Sequence, residues 1–234
     1  MGPHEKGWQA TRQRIACAAR AANRNPDAVR LLAVSKTFSA AAVRTVHGLG
    51  QRAFGENYVQ EALEKREALA GLPGVTWHLI GPLQANKARV AAEAFDWIET
   101  IDRPRIAERL STARSTLQPA LNVLVQVNVS GEATKHGVAP QDAVELARYV
   151  ATLPNLRLRG IMGIPAPTDD PARLRSQFRA LRACYDACRE EGMALDTLSM
   201  GMSDDLEAAI AEGSTEVRVG RAIFGERTRS EAWK

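Results

Sequence analysis

The chain has 234 residues, 45% of them hydrophobic and 25% charged, and carries a net charge of +4. That length is enough to bury a substantial core, and that balance excludes a disordered chain, a collagen-like chain and a small disulfide-stapled scaffold. No apolar run approaches the roughly 20 residues a membrane helix needs, and the MGPHEKGWQ start has neither the apolar core of a signal peptide nor, with Lys6, the hydroxyl of a myristoylation site, so a cytoplasmic protein off the membrane is expected.

The first predicted element is a helix from Trp8 to Ala22, with Ile15, Ala18, Ala19 and Ala22 on one side. Eight short runs rich in Val, Ile and Leu follow as strands: VRLLAVS (29–35), RAFGEN (52–57), VTWHLIG (75–81), WIETID (97–102), ALNVLVQVNV (120–129), LRLRGIMGI (156–164), ALDTLSMG (194–201) and EVRVGRAIF (216–224). The stretches between them have helical spacing, as in VQEALEKREALA and PQDAVELARYVATL. Strands that alternate with helices imply parallel strands joined by right-handed crossovers. Eight such units in one α/β domain spanning residues 1–234 predict a single (β/α)8 TIM-type barrel with an extra N-terminal helix. A doubly wound sheet is the second choice, weakened because no Gly-x-Gly-x-x-Gly follows the first strand. Linkers are short, and the Pro-rich PAPTDDPAR reads as a surface connection.

The basic residues are interleaved with acids, as in EALEKREALA and PRIAERL, and read as solvated helix faces. With no basic tail and 5% aromatic residues, a nucleic-acid partner is not expected. Cys17, Cys184 and Cys188 are too few for a disulfide or zinc framework, and no metal is expected. The absence of a heptad or long apolar stripe leaves a monomer as the default. Only six residues are lysine, so a lysine in an apolar setting stands out.

In a barrel of this kind chemistry sits at the carboxyl ends of the strands. Lys36 directly follows LLAV on strand one. A partly desolvated amine titrates lower and attacks carbonyls, although a lysine at a strand end is more often merely solvated. After strand seven, SMGMSDDLEAAI offers glycine for close backbone approach and Ser203 as an N-cap; after strand eight comes Gly220. Barrels often bind phosphate between these two loops, yet simple capping, with Asp204 and Asp205 on the helix dipole, explains the residues equally well. Arg218, between valines on strand eight, points into the barrel or its mouth and needs an acceptor there. His78 reads first as a core histidine. A nucleophilic lysine, a phosphate cradle and a nearby arginine are together the parts that hold pyridoxal 5′-phosphate (PLP).

The blocks LLAVSKTFSAAAVRTVHGLGQRAFGENYVQEALEK, WHLIGPLQANKAR, VNVSGEATKHG, LRGIMGI and LSMGMSDDLEAAIAEGSTEVRVGRAIFGER resemble the pyridoxal phosphate homeostasis proteins, the YggS/PROSC family, from about Leu31 to Arg227. The resemblance implies a PLP fold-type III barrel like the N-terminal domain of alanine racemase, with PLP held as an aldimine on Lys36. It implies Arg218 at the pyridine nitrogen, and Ser203, Gly220 and Arg221 in the phosphate-binding blocks. Asn57 and His78 match positions lining the pocket, Met200 and Gly201 lie beside the phosphate, and Lys135 matches a lysine of a secondary cofactor site. Two departures stand out: TFSAAAV lacks the proline many relatives have soon after the lysine, and position 221 is arginine where a small polar residue is common.

A guanidinium does not readily act as an acid, so an arginine at the ring nitrogen leaves that nitrogen unprotonated and the cofactor a weak electron sink. The function the resemblance implies is a non-catalytic carrier that holds PLP and supplies it to PLP-dependent apoenzymes. The chain ending soon after Phe224, with no second domain to provide an opposing base, agrees with that expectation. The alternative is a single-domain amino-acid racemase with Lys36 as one base and Tyr58 or His78 as the other. A phosphosugar-binding barrel without lysine chemistry is a third reading.

Overall fold

In the computed structural model, which describes residues 2–132 and 135–226, eight parallel strands follow one another around a closed barrel, and the first pairs with the last. They are β1 (Arg30–Val34), β2 (Ala53–Glu56), β3 (Thr76–Leu79), β4 (Trp97–Ile101), β5 (Leu121–Val127), β6 (Leu156–Gly163), β7 (Thr197–Ser199) and β8 (Glu216–Val219). Helix α1 (Pro3–Ala21) precedes them. The crossovers hold α2 (Ala40–Gly48), α3 (Val59–Ala68), α4 (Ala88–Ala94), α5 (Pro104–Ala113), α6 (Ala143–Ala151), α7 (Pro171–Glu190) and α8 (Leu206–Ala211), and α9 (Arg221–Phe224) follows β8.

The helices form where the sequence supplies one apolar stripe. α5 buries Ile106, Ala107, Leu110 and Ser111, and α6 buries Ala143, Leu146, Ala147 and Val150. Their starts are marked locally: Ser39 caps α2 by accepting from Ala42 N–H, and Asp170 caps α7 ahead of Pro171. The strands are buried on both faces, which is why β4 has no exposed position. One large apolar core fills the space between strands and helices, while Trp97, Leu124 and Met162, with Ile164, form a smaller cluster on alternate, inward-facing positions. Polar groups share that interior: His78, Glu99, Ser199, Glu216 and Arg218 are all buried.

Three expectations need correction. The opening helix begins at Pro3, because proline is well suited to a first helical position. The run 216–224 is not one strand: β8 stops at Val219, and Arg221–Phe224 turns as a helix after Gly220. A short apolar run fits a buried helix as well as a strand, and here Ile223 and Phe224 are buried, with Phe224 stacked on Phe38 at 5.0 Å. A Cβ at Gly7 would lie 2.5 Å from the Ala222 carbonyl, so glycine is what allows α1 to lie against α9. Finally, Ser203 does not cap α8. Asp205 holds that position, and its carboxylate turns back to accept from Met202 N–H at 2.5 Å.

Candidate functional site

A cavity of about 500 Å³ opens at the carboxyl ends of the strands. Leu32, Val34 and Lys36 alternate toward the interior, so β1 delivers the half-buried Lys36 to its wall. Thr37 then turns the chain with φ +69°, a conformation that costs a non-glycine residue about 1–2 kcal/mol. Asn57, Gln126, Ile164, Ser203, Arg218, Gly220 and Arg221 also line the cavity, as do Lys135 and His136 at its rim. Of the residues singled out in the sequence, the structure thus brings seven together: Lys36, Asn57, Lys135, Ser203, Arg218, Gly220 and Arg221. His78, Met200 and Gly201 are buried behind this lining.

Arg218, itself buried, is the cavity-facing end of a polar network inside the barrel. Its Nη1 donates to Ser199 Oγ at 2.7 Å and its Nη2 to the Gly163 carbonyl at 2.9 Å. Ser199 donates in turn to Glu99 Oε2 at 2.7 Å, and the other oxygen of Glu99 accepts from His78 Nδ1 at 2.8 Å. Burial pushes the His78 pKa down to about 4, so the ring is neutral, and facing a carboxylate oxygen its Nδ1 carries the proton. Glu216 completes the cluster; the ligating atoms of His78, Glu99 and Glu216 lie within 4.8 Å of one another. Burial, then the nearby Glu99 charge, pushes the Glu216 pKa up to about 7, and burial raises that of Glu99. Two carboxylates this close favour holding one proton between them. Arg218 on one side, and Arg30 Nε 3.5 Å from Glu216 on the other, supply the compensating charge. Beneath them His78 stacks on Trp97 at 5.0 Å.

The opposite wall is made of backbone. Gly201 adopts φ +96°, and a Cβ there would meet the Ala209 Cβ at 2.5 Å, so this turn excludes any other residue without displacing α8. A Cβ on Gly220 would sit 3.0 Å from the Val34 carbonyl. The amides of Arg221 and Ala222 open α9 and have no place in its helical bonding. Arg221 is 57% exposed and paired with Asp204, so its guanidinium lies on the rim, bridging the loops after β7 and β8.

Tyr58 is 60% exposed and lies in an adjoining cavity, of about 530 Å³, that shares Asn57, Pro82 and His136 with the first. Lys135 stands 3.2 Å from Glu132. Ala133 and Thr134 of the GEATKHG block, and Arg227 at the end of the resemblance, lie outside the described residues.

One feature escaped the sequence reading. EALEKREALA is not wholly a solvated face: Glu61 and Lys65 of α3 are buried against Glu56, which β2 points outward from the barrel. Lys65 Nζ donates to Glu56 Oε1 at 2.8 Å, Glu61 Oε1 at 2.7 Å and the Ser35 carbonyl at 2.6 Å. The available signal was positional, since Glu61 and Lys65 share a helix side with the buried Ala62 and Leu69.

Barrel, cavity and polar interior define a class: residues 8–228 match the family described as alanine racemase, N-terminal domain. Within it, the chain is 57% identical over 214 residues to the pyridoxal phosphate homeostasis protein of Pseudomonas aeruginosa, covering 92% of this chain and 91% of that one. The Escherichia coli protein of the same name is 50% identical over 222 residues, covering 94% and 95%. PipY of Synechococcus elongatus, solved with PLP bound, superposes with a TM-score of 0.79 at 39% identity, over 90% of this chain and all of that one. The chain belongs to the pyridoxal phosphate homeostasis protein family.

Proposed function

We propose that this chain binds PLP in the 500 Å³ cavity, covalently on Lys36, and supplies it to PLP-dependent apoenzymes in the cytoplasm as a carrier rather than a catalyst. The observation that carries this reading is that Lys36, just past the end of β1, and Arg218 of β8 open into one cavity beside Gly220. The bound form of PipY, a relative of 39% identity, supports the same ligand. The donors suit the group: an amine at a strand end, a glycine rim with no room for a side chain, and helix-opening amides for a phosphate. When bound, the cofactor would supply an aldehyde, the electrophile toward which the Lys36 amine is placed.

Placement in the cavity supports the following reading of the remaining residues. Arg218, held by Ser199 and the Gly163 carbonyl, presents donors only, and so binds a pyridine nitrogen without protonating it. Ser203, Gly220 and the first amides of α9 hold the phosphate, with Arg221 adding charge from the rim. Gly201 and Met200 fix the turn beneath, Asn57 lines the wall and His78 supports Arg218 through Glu99. Lys135 at the mouth is the candidate for a secondary cofactor contact.

The test is the visible spectrum of the protein with PLP, followed by borohydride reduction and peptide mapping. A reduced pyridoxyl adduct on Lys36 is expected, and Lys36→Ala removes it from that peptide without unfolding the barrel. A colourless, unmodified protein after incubation with excess PLP would sink the reading. Turnover of alanine or serine to the opposite enantiomer, lost in Lys36→Ala, would replace the carrier with a racemase.

A further inference from the structure

Lys36 is flanked by two residues that one buried ion cluster holds by their backbone. On its N-terminal side, the Ser35 carbonyl accepts from Lys65 Nζ at 2.6 Å, and Ser35 Oγ donates to Glu56 Oε1 at 2.6 Å. On its C-terminal side, Thr37 N–H donates to Glu61 Oε1 at 2.5 Å. The same Lys65 ammonium joins both carboxylates, so all three of its protons are spent between Ser35, Glu56 and Glu61.

We infer that Lys65 and Glu61 are positioning residues for Lys36, a clamp behind the barrel wall that fixes the backbone on both sides of the lysine and aims its amine into the cavity. The inference rests on the proposed role of Lys36. It concerns residues that do not line the cavity and would not touch a ligand there.

Three observations carry it. First, Thr37 holds φ +69°, which a threonine does not adopt without restraint, and its amide is the group Glu61 grips. Second, the cluster buries two carboxyl groups around a single ammonium, an arrangement whose desolvation is costly. Apolar residues of similar size would fill this space at least as stably, so the ions make better sense as a device for one geometry than as a source of stability. Third, the elements involved are the ones that must keep register for the lysine to be presented: β1, its neighbour β2, and α3 packed outside them.

The experiment follows the visible band of the covalent adduct after mixing PLP with wild type, Glu61→Leu, Lys65→Met and Glu61→Gln. The rate and the pH midpoint of band formation are both read, and each adduct is mapped after borohydride. Glu61→Leu and Lys65→Met are expected to slow attachment at Lys36 about tenfold or more and to move the pH midpoint. Glu61→Gln, which keeps an oxygen for Thr37 N–H, should restore most of the rate. Folded leucine and methionine variants that attach PLP at the wild-type rate and midpoint would overturn the clamp while leaving the Lys36 reading intact. Absence of any Lys36 adduct in wild type would overturn both. Hydrogen exchange on the wild type gives a check that needs no variant: the Thr37 amide should be protected, and free exchange there would also overturn the clamp.

Discussion

Two buried ion clusters flank the wall of this barrel and differ in what they hold. The inner one, His78, Glu99, Glu216 and Ser199, ends on the side chain of Arg218 and reaches the cavity through its guanidinium. The outer one, Glu56, Glu61 and Lys65, ends on the backbone of Ser35 and Thr37 and does not reach the cavity at all. Both place carboxylates where water is excluded, and both have one acid pushed up to about 7. The inner cluster sets the electrostatics that a ligand meets. The outer one sets the geometry from which the lysine acts. Disrupting each should therefore cost stability alike but change different properties of the bound cofactor.

The largest effect is expected from Arg218→Ala. It leaves Glu99 buried without its main counter-charge, and removing one partner of such an assembly costs about 3–5 kcal/mol. Denaturation by urea measures that cost. If the comparison holds, the absorption maximum of bound PLP shifts and retention weakens, whereas Lys65→Met alters the rate of attachment with little change in the maximum. An unchanged spectrum and affinity in Arg218→Ala would remove this residue from the pyridine nitrogen.

A smaller effect separates the clusters by pH. An acid whose folded pKa is raised binds its proton more tightly in the folded chain, so its contribution to stability falls as pH rises from the unfolded value toward the folded one. For Glu216 that window runs from 4.5 to about 7, and the same holds for Glu56. His78 has the opposite sign. Its folded pKa lies near 4, so between there and 6.5 the unfolded chain takes up the proton first, and stability from this group rises with pH. The histidine and the carboxylates thus offset one another below about pH 6.5, and the carboxylates alone act just above it. Wild type should lose stability between about pH 6.5 and 7, and Glu216→Gln should lose less. An identical loss in Glu216→Gln would place the titrating proton elsewhere, with Glu56 next in line.

The sequence disclosed the inner cluster only in part and the outer one hardly at all, for physical reasons. Alternating apolar runs and helical stretches were readable because both faces of each strand are covered. Lys36 was visible because it follows LLAV, and Arg218 because a cation between strand valines demands an acceptor. The acceptors were not visible: Ser199 and Glu99 are 100 residues apart and meet only because the barrel closes. Glu61 and Lys65 failed differently. Opposite charges four apart on a helix look like a solvated pair, and only the buried Ala62 and Leu69 on the same side point inward. The end of β8 was misread because Ile223 and Phe224 bury equally well in either backbone form.

The smallest effect is expected at the rim, where Arg221 pairs with Asp204. Its guanidinium and the Asp204 carboxylate are both well exposed, and exposed pairs add little to stability, so Arg221→Ala should leave the denaturation midpoint unchanged. Its contribution to phosphate binding would be that of a screened charge, whereas backbone amides after Gly220, if they hold the phosphate as proposed, would be far less sensitive to salt. PLP affinity in Arg221→Ala should therefore fall a few-fold at low ionic strength and converge on wild type as salt is raised. Asp204→Asn, which frees the guanidinium from its partner, should move affinity the other way under the same conditions. Equal affinities of all three proteins at low salt would assign Arg221 to its ion pair alone and leave the phosphate to the backbone.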